Sequence, residues 1–455
     1  MVNPPRGPLA ASGMMVPKRM DGEAVAAARL RADNPACAHE EVPMMIRKCM
    51  TVLIALMLCA AAIPAWGQPP RTGEGNIKVG PVEIHPSVGI TQTWTDNVYR
   101  SYDGKDKESD WITTISPGLE LILPLRSHSL KVGYFADIHQ YKDFNENDYT
   151  RQLFTTSLNL DFPGGLEVTV ENDYIDSEVR RKWREQAGLS GAADPYRARP
   201  YASNDFLTKM RYSFTDRWAA AAWYNYYKYD YDHEYDSTGS FNRHLGGGSI
   251  FYRVAPKTEL LAEYFHSKVD YPKNPADDNT NDTVYLGIQF DPTAKLSGNL
   301  KAGWSQKKYD TPKVGTEDTF DGFSTRIDLD YSLSSYDMIR LKGSRTIEED
   351  IDTNDAYTRD DYSIGYSHIL SMNEKIRLNA SVGYGRDRYK GLDTDTDSVF
   401  KQRKDDICYT TLSVDYAMQR WLMWTLSYSY IDRDSNFIRY DGAENAVFLN
   451  GRVSF

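Results

Sequence analysis

The final eleven residues of the chain, NAVFLNGRVSF (445–455), alternate strictly between two kinds of side chain. One face of an extended chain would carry Val447, Leu449, Gly451, Val453 and Phe455, and the other would carry Phe448, Asn450, Arg452 and Ser454. Side chains alternate with period two only in a β-strand. The segment is therefore predicted to be a strand with one apolar face and one mostly polar face.

The same alternation recurs along the chain from about residue 85 onward. It is clearest in RIDLDYSL (326–333), IRLNASVGY (376–384) and WLMWTLSYSY (421–430). These strands would be ~10–14 residues long, whereas strands of soluble sheets have about 5–6 residues. Aromatic residues gather at the strand ends, as the interfacial girdle of a membrane barrel requires. The pattern therefore favours an apolar face that meets lipid over one that fills a soluble core.

Short and long connections alternate between the predicted strands. Short turns are predicted at 125–127, 163–165, 215–217, 255–257, 291–294, 334–337, 371–374 and 419–420, and longer acidic segments at 272–282, 348–361 and 391–406. Lipid offers the backbone no hydrogen-bond partners, so the sheet must close. We predict an all-β fold, a closed antiparallel transmembrane β-barrel of about 18 strands (16–18) with short periplasmic turns and long extracellular loops.

The N-terminal region reads as a targeting segment. Basic Arg47 and Lys48 precede an apolar run from Met50 to Ala62, which is typical of a secretory signal peptide cleaved before Gln68. A lipoprotein signal at Cys59 and a short core helix are the alternatives. The expected organisation is an untranslated segment at 1–43, a signal peptide at 44–67, a periplasmic lead-in at 68–86 and the barrel at 87–455.

Residues 82–100 (VEIHPSVGITQTWTDNVYR) and 109–134 (SDWITTISPGLELILPLRSHSLKVGY) carry a family resemblance. This stretch, best over 81–141, resembles the "putative outer-membrane β-barrel porin type 2" family. The resemblance implies a porin-like channel in the outer membrane of a Gram-negative bacterium. Members often accompany exopolysaccharide loci, which implies export or assembly of an extracellular polysaccharide, with polysaccharide export proteins as partners.

The polar face of the strands supplies the candidate pore. The predicted pore-lining residues are Lys301, Arg326, Asp328, Asp330, Arg340, Lys342, Arg377, Asp415 and Arg452. Such a set could select polar solutes. The alternative is that these residues form cross-strand ion pairs in a wet interior.

The longest predicted loop, 178–203, is basic in a chain whose net charge is -11. Its Arg180, Arg181, Lys182 and Arg184 could constrict the pore or bind anionic glycan or lipopolysaccharide phosphate; a solvated loop is the alternative. The acidic balance argues against nucleic acid as a partner. The Asp393, Asp395 and Asp397 series lacks the glycine and glutamate of a calcium loop, so we predict a solubilising loop, no metal and no cofactor; a looser divalent-cation site at the outer rim is the alternative.

The terminal Phe455, with Val453 and Leu449, resembles the assembly signal of outer-membrane barrels, which implies the barrel assembly machinery as a partner beside outer-membrane lipid and lipopolysaccharide. No histidine stands in a recognisable spacing with a nucleophile, so we predict no catalytic residues and no enzyme. Two further functions remain open: a structural or adhesin-type surface barrel with a filled lumen, and an outer-membrane barrel enzyme.

Overall fold

A computed structural model describes residues 77–101, 107–179, 199–233, 236–292, 294–311, 318–349, 356–370, 374–394 and 400–455. All of them belong to one compact unit, Cys49–Phe455. A second unit, Met1–Lys48, lies outside the described residues, as do the expected signal peptide and residues 68–76 of the expected lead-in.

The described residues form nineteen strands, of which all but the three-residue β1 are 12–20 residues long. Their bounds are β1 Ile77–Val79, β2 Val82–Thr95, β3 Asp110–Leu125, β4 His128–Tyr141, β5 Tyr149–Phe162, β6 Leu166–Val179, β7 Arg199–Ser213, β8 Trp218–Tyr231, β9 Phe241–Ala255, β10 Thr258–Asp270, β11 Asn279–Phe290, β12 Leu296–Tyr309, β13 Thr319–Ser332, β14 Asp337–Glu349, β15 Ala356–Ile369, β16 Ile376–Thr394, β17 Phe400–Gln419, β18 Leu422–Ser435 and β19 Gly442–Ser454. Single-turn 3₁₀ helices occupy Asn145–Asn147, Ser237–Gly239, Pro275–Asp277 and Ile438–Tyr440. No helix among these residues is long and apolar enough to cross a membrane.

Strands β2 to β19 pair antiparallel with their chain neighbours, and β19 pairs with β2 to close the ring. The closing contact runs from Ala446↔Thr95 to Ser454↔Ser87. The short β1 pairs only with the start of β2, so the barrel proper has eighteen strands. This confirms the predicted closed antiparallel barrel. Strand β2 begins at Val82, five residues before the expected start at Ser87, although pairing with β19 does begin at Ser87.

All eight short connections lie at one end of the barrel, where the sequence predicted turns; we call this the turn end. They follow β3, β5, β7, β9, β11, β13, β15 and β17. The β5–β6 turn contains Gly164 (φ +100°) and Gly165 (φ +83°), a left-handed backbone that glycine adopts without strain. The longer connections lie at the opposite end, the loop end.

The strands reach further toward the loop end than the composition suggested. Parts of the predicted loops 272–282, 348–361 and 391–406 belong to β11, β14 to β17. Their charged residues pair across strands, as Arg359 does with Asp387, whose Nη2 and Oδ2 atoms are 2.6 Å apart. Opposite charges facing each other stabilise a strand pair, so acidic composition alone did not mark a loop here.

The outer face of the barrel carries an apolar band. Leu286, Ile90 and Leu426 point outward with 67%, 57% and 51% of their surface exposed. Outward aromatic residues form one belt near the turn end and a second belt about 25 Å away along the strands, as Tyr331 and Phe323 show on β13. An apolar band between two aromatic belts is typical of outer-membrane barrels.

The inner face of each strand has two halves. The turn half lies nearer the turn end, and the loop half lies nearer the loop end. On β13 the turn half comprises residues 326–332 and the loop half residues 319–325. Inward residues of the turn half are largely polar and partly exposed, whereas many of the loop half are buried.

Candidate functional site

The predicted pore-lining residues share the inner face of β12 to β19, all within the turn half. The strand register places Lys301 opposite Arg326, Asp328 opposite Lys342, Asp330 opposite Arg340, and Arg377 opposite Asp415. The alternating positions form apolar pairs such as Leu329↔Leu341 and Leu426↔Leu449 on the outer face. Period-two alternation therefore assigns all nine residues to the lumen side.

Four of these residues are held by specific contacts. Arg340 donates to both carboxylate oxygens of Asp330, at 2.7 and 3.3 Å. Lys301 Nζ lies 2.9 Å from Glu263 Oε2. Asp415 accepts hydrogen bonds from Asn379 and Thr425, both at 2.9 Å. In this part of the lumen the cross-strand ion-pair interpretation of the sequence holds for two pairs, Arg340–Asp330 and Lys301–Glu263.

Other lining charges have no ion pair within the described part of the chain: Arg326, Asp328, Lys342 and Arg377. Arg326 and Lys342 are exposed within the lumen, and Arg377 is partly exposed. The guanidinium of Arg326 lies 5.8 Å from the ring centre of Tyr285 and 6.0 Å from that of Phe265. Charges that remain in water at a barrel wall are available to a passing solute.

Sequence reasoning missed a packed cluster on the inner face of the loop half. Arg403 Nη2 lies 2.5 Å from Asp405 Oδ2, and its guanidinium stacks on Tyr389 and Tyr440 at 4.3 and 3.3 Å from the ring centres. Tyr389 also stacks on Tyr357, with ring centres 4.7 Å apart. Asp405 is fully buried. The sequence contains 32 tyrosines, and this high content could have indicated an aromatic cluster inside the barrel. The sequence interpretation assigned the aromatic residues to an outer girdle alone.

A second loop-half feature is an overlap between neighbouring strands. Pairing between β13 and β14 stops at Thr325↔Arg345, although both strands continue beyond it. Beyond this point Ile347 of β14 and Ala356 of β15, which have the outward phase, pack on Tyr309 and Phe320, which have the inward phase. The loop-end part of β14–β15 therefore lies on the lumen side of β12–β13 and narrows the interior.

Glu349 at the end of β14 fixes this overlap. Its carboxylate lies 2.8 Å from Lys307 Nζ and accepts hydrogen bonds from Asn279 Nδ2 at 3.2 and 3.3 Å. Lys307 is buried. Burial, together with the neighbouring carboxylates of Glu349 and Asp277, raises the pKa of Tyr271, which follows β10 in the adjacent loop. The phenol of Tyr271 therefore stays neutral and can donate a hydrogen bond to the carboxylate of Glu349.

Comparison with known families assigns the chain. The family model described as "Putative beta-barrel porin 2" matches residues 70–455. The chain belongs to this family. The match covers every described strand, and the eighteen-strand ring is therefore the barrel of a member of the porin 2 family.

Solved structures that resemble this family member are outer-membrane barrels. They include OpdK of Pseudomonas aeruginosa, crystallised with vanillate (9% identity, TM-score 0.45, covering 82% of this chain and 99% of OpdK). OpdL of Pseudomonas aeruginosa gives 12% identity, TM-score 0.44, and coverage of 83% and 99%. The FrpB iron transporter of Neisseria meningitidis gives 10%, 0.41, and 80% and 63%. No curated protein matches the chain.

The predicted assembly-signal residues lie at the closing contact of this porin 2 barrel. Val453 pairs with Val88 and Leu449 with Gln92. The Phe455 backbone N–H donates to the Pro86 carbonyl at 3.1 Å, and its ring stacks on Trp421 with centres 6.1 Å apart. The side chains of Leu449 and Phe455 are about half exposed on the outside. The predicted basic loop residues Arg180, Arg181, Lys182 and Arg184 lie outside the described residues.

Several histidines of the described strands bond to hydroxyl or carboxylate groups; the His139 Nδ1 and Thr114 Oγ1 atoms are 2.9 Å apart. His266 contacts Asp282 at 2.9 Å and His368 contacts Asp337 at 2.8 Å, and in each case a tyrosine hydroxyl also donates to the carboxylate. No serine or cysteine side chain in the described residues bonds to a histidine. The same residues contain no cluster of His, Cys, Asp or Glu that could hold a metal ion.

Proposed function

We propose that the protein is a porin-like channel of the Gram-negative outer membrane, with the turn end in the periplasm and the loop end outside the cell. One observation carries the proposal: a closed ring of eighteen strands has lining charges without an ion pair among the described residues, including exposed Arg326 and Lys342, inside an outer surface that carries an apolar band. Barrels of 16–18 strands are wide enough for an aqueous channel. Passage needs no chemical step, so the proposal includes no catalysis.

Membership of the porin 2 family supports a more specific solute. Because members often accompany exopolysaccharide loci, we extend the proposal to export or assembly of an extracellular polysaccharide. Polysaccharide export proteins would then act on the periplasmic side. Cells that lack the protein should release less polysaccharide and retain more in the periplasm, and unchanged release would remove this solute from the proposal.

Conductance tests the channel itself. The refolded protein in a planar lipid bilayer should conduct ions in discrete steps. Replacing Arg326, Lys342 and Arg377 by Gln should shift the reversal potential in a salt gradient toward cation selectivity, because fixed positive charge in the lumen repels cations. The matched control replaces Arg345, Arg386 and Arg388 by Gln; these side chains have the outward phase and should leave selectivity unchanged.

A second candidate is a structural or adhesin-type barrel with a closed lumen. The packed loop half favours it, since Tyr357, Tyr389, Arg403 and Asp405 are all buried on the inner face. A variant that loosens the overlap in the loop half distinguishes the channel from the closed barrel. If Glu349→Ala conducts more than the unaltered protein, the overlap restricts an existing channel. If neither protein conducts, the closed barrel replaces the channel as the proposed function.

A further inference from the structure

A cavity of about 390 Å³ lies at the turn end, where β19 closes against β2. Its wall is formed by residues of β2, β3, β4, β18 and β19, by Phe455 and by the two-residue turn between β17 and β18. Small-molecule sites in proteins have volumes of roughly 300–1,000 Å³. The cavity is therefore large enough for a small ligand at the mouth of the barrel.

Opposite charges line this cavity without meeting each other. Glu120 comes from β3, Arg452 from β19 and Arg420 from the turn. Within the described residues none of the three makes an ion pair, and Arg452 donates only a long hydrogen bond of 3.5 Å to Ser87 Oγ. A carboxylate and a guanidinium that share a cavity but are not bonded leave space for a ligand that engages both.

The remaining wall supplies flat apolar surfaces. His85 also lines the cavity, and its buried Nε2 atom lies 3.7 Å from Glu83 Oε2. Phe135 and Trp421 provide aromatic surfaces. The near-parallel stacking of Trp421 on Phe455, at 9°, holds the indole in place. A few convergent polar groups on an aromatic wall are typical of a ligand site.

We propose that this cavity binds a small zwitterion, with the ligand's ammonium group at Glu120 and its carboxylate at Arg452. The inference goes beyond the proposed channel, because binding at the mouth does not require an open lumen. A ligand in this position contacts β2, β3 and β19 together. Since a ligand that binds only the folded state stabilises it, the zwitterion should also stabilise the closing contact of the ring.

Four tripeptide probes of matched size separate the charges: triglycine, N-acetyltriglycine, triglycinamide and N-acetyltriglycinamide. They are respectively zwitterionic, anionic, cationic and neutral. Isothermal titration of the refolded, unaltered protein in detergent should give the tightest binding for triglycine. Capping either terminus should weaken binding about tenfold, as expected for the loss of one charge-assisted hydrogen bond. Equal affinity for all four probes would overturn the proposal.

Two variants assign the charges. Glu120→Gln should remove the advantage of triglycine over N-acetyltriglycine, and Arg452→Gln should remove its advantage over triglycinamide. Glu167→Gln and Lys209→Gln are matched controls, since these side chains face inward near the turn end but do not line the cavity. If the controls weaken binding as much as the cavity variants do, the site is wrong.

The result of the tripeptide-binding test is separable from the result of the conductance test. A protein that conducts ions but binds the four probes alike rejects the zwitterion site alone. A protein that binds triglycine preferentially but does not conduct rejects the channel alone. If a variant fails to refold, as judged by heat-modifiable gel mobility, the comparison of the four probes on the unaltered protein still decides.

Discussion

The two halves of the lumen are built from the same strands, yet they differ in packing. On β12, Ser297 in the turn half is partly exposed, whereas Ser305 in the loop half is buried; on β13, Ser332 and Ser324 show the same contrast. In the turn half lining charges remain in water, but in the loop half Tyr389, Arg403 and their neighbours pack against one another. Alternation decides which side chains face inward, and side-chain size and partners decide whether the interior stays open.

The contrast also implies different energetics for ion pairs in the two halves. Arg340 of the turn-half pair with Asp330 has about half of its side chain exposed, and exposed pairs contribute about 0–1 kcal/mol. Arg403 and Asp405 in the loop half are buried. Removing one partner of a buried pair leaves a charge in a medium of low dielectric constant, which is far more costly.

The largest predicted effect uses this difference. Asp405→Ala should lower the free energy of unfolding by about 3–5 kcal/mol, because Arg403 loses its carboxylate and Ser435 loses its acceptor. Asp330→Ala should lower it by no more than about 1 kcal/mol. Urea unfolding of both variants in lipid vesicles measures the two values. Similar losses would mean that the two halves are equally packed or equally wet.

On the outer face a charge should be costly wherever it enters the apolar band, unlike a charge on the inner face. Leu286→Arg on β11 and Leu426→Arg on β18 should each cost about 2–4 kcal/mol near the membrane midplane. Ser427→Arg, one residue along β18 and facing the lumen, should cost much less. The same unfolding measurement applies. A large cost at Ser427, equal to that at Leu426, would place the wrong face against lipid.

A smaller effect is expected at the turn-end closing contact. Deleting Phe455 should cost about 1.5–3 kcal/mol of burial, because its ring packs on Trp421. In cells the deletion should also reduce the amount of barrel in the outer membrane, since a terminal aromatic can be captured by strand pairing before folding. Arg452→Ala, on the lumen side, should do neither.

Heat-modifiable gel mobility compares the Phe455 deletion made in cells with the same variant refolded from urea. Efficient refolding with poor cellular yield supports a role in assembly. A normal cellular yield would show that Phe455 has no role in assembly and that the assembly machinery does not recognise this residue.

Local patterns predicted what depends on local geometry. The alternation of period two predicts which face Leu329, Leu426 and Asp328 occupy, and the eight turns lie where that alternation is interrupted. A shift of one residue would move every side chain to the opposite face. The length of β16 and β17 did not follow, since it depends on charges such as Asp387 that pair with other strands. The overlap fixed by Glu349 joins residues of β11, β12 and β14, and no segment of the sequence contains that contact.

Thiol labelling tests the difference between the halves most directly. Ser332→Cys and Ser324→Cys place a thiol on the same inner face of β13, eight residues apart. The refolded barrel is treated with a small, charged, membrane-impermeant thiol reagent, and labelling of the unsubstituted protein is subtracted; Ser297→Cys and Ser305→Cys on β12 repeat the comparison. We expect rapid labelling at 332 and 297 and slow labelling at 324 and 305. Equal rates in the two halves would contradict an open, charged turn half below a packed loop half.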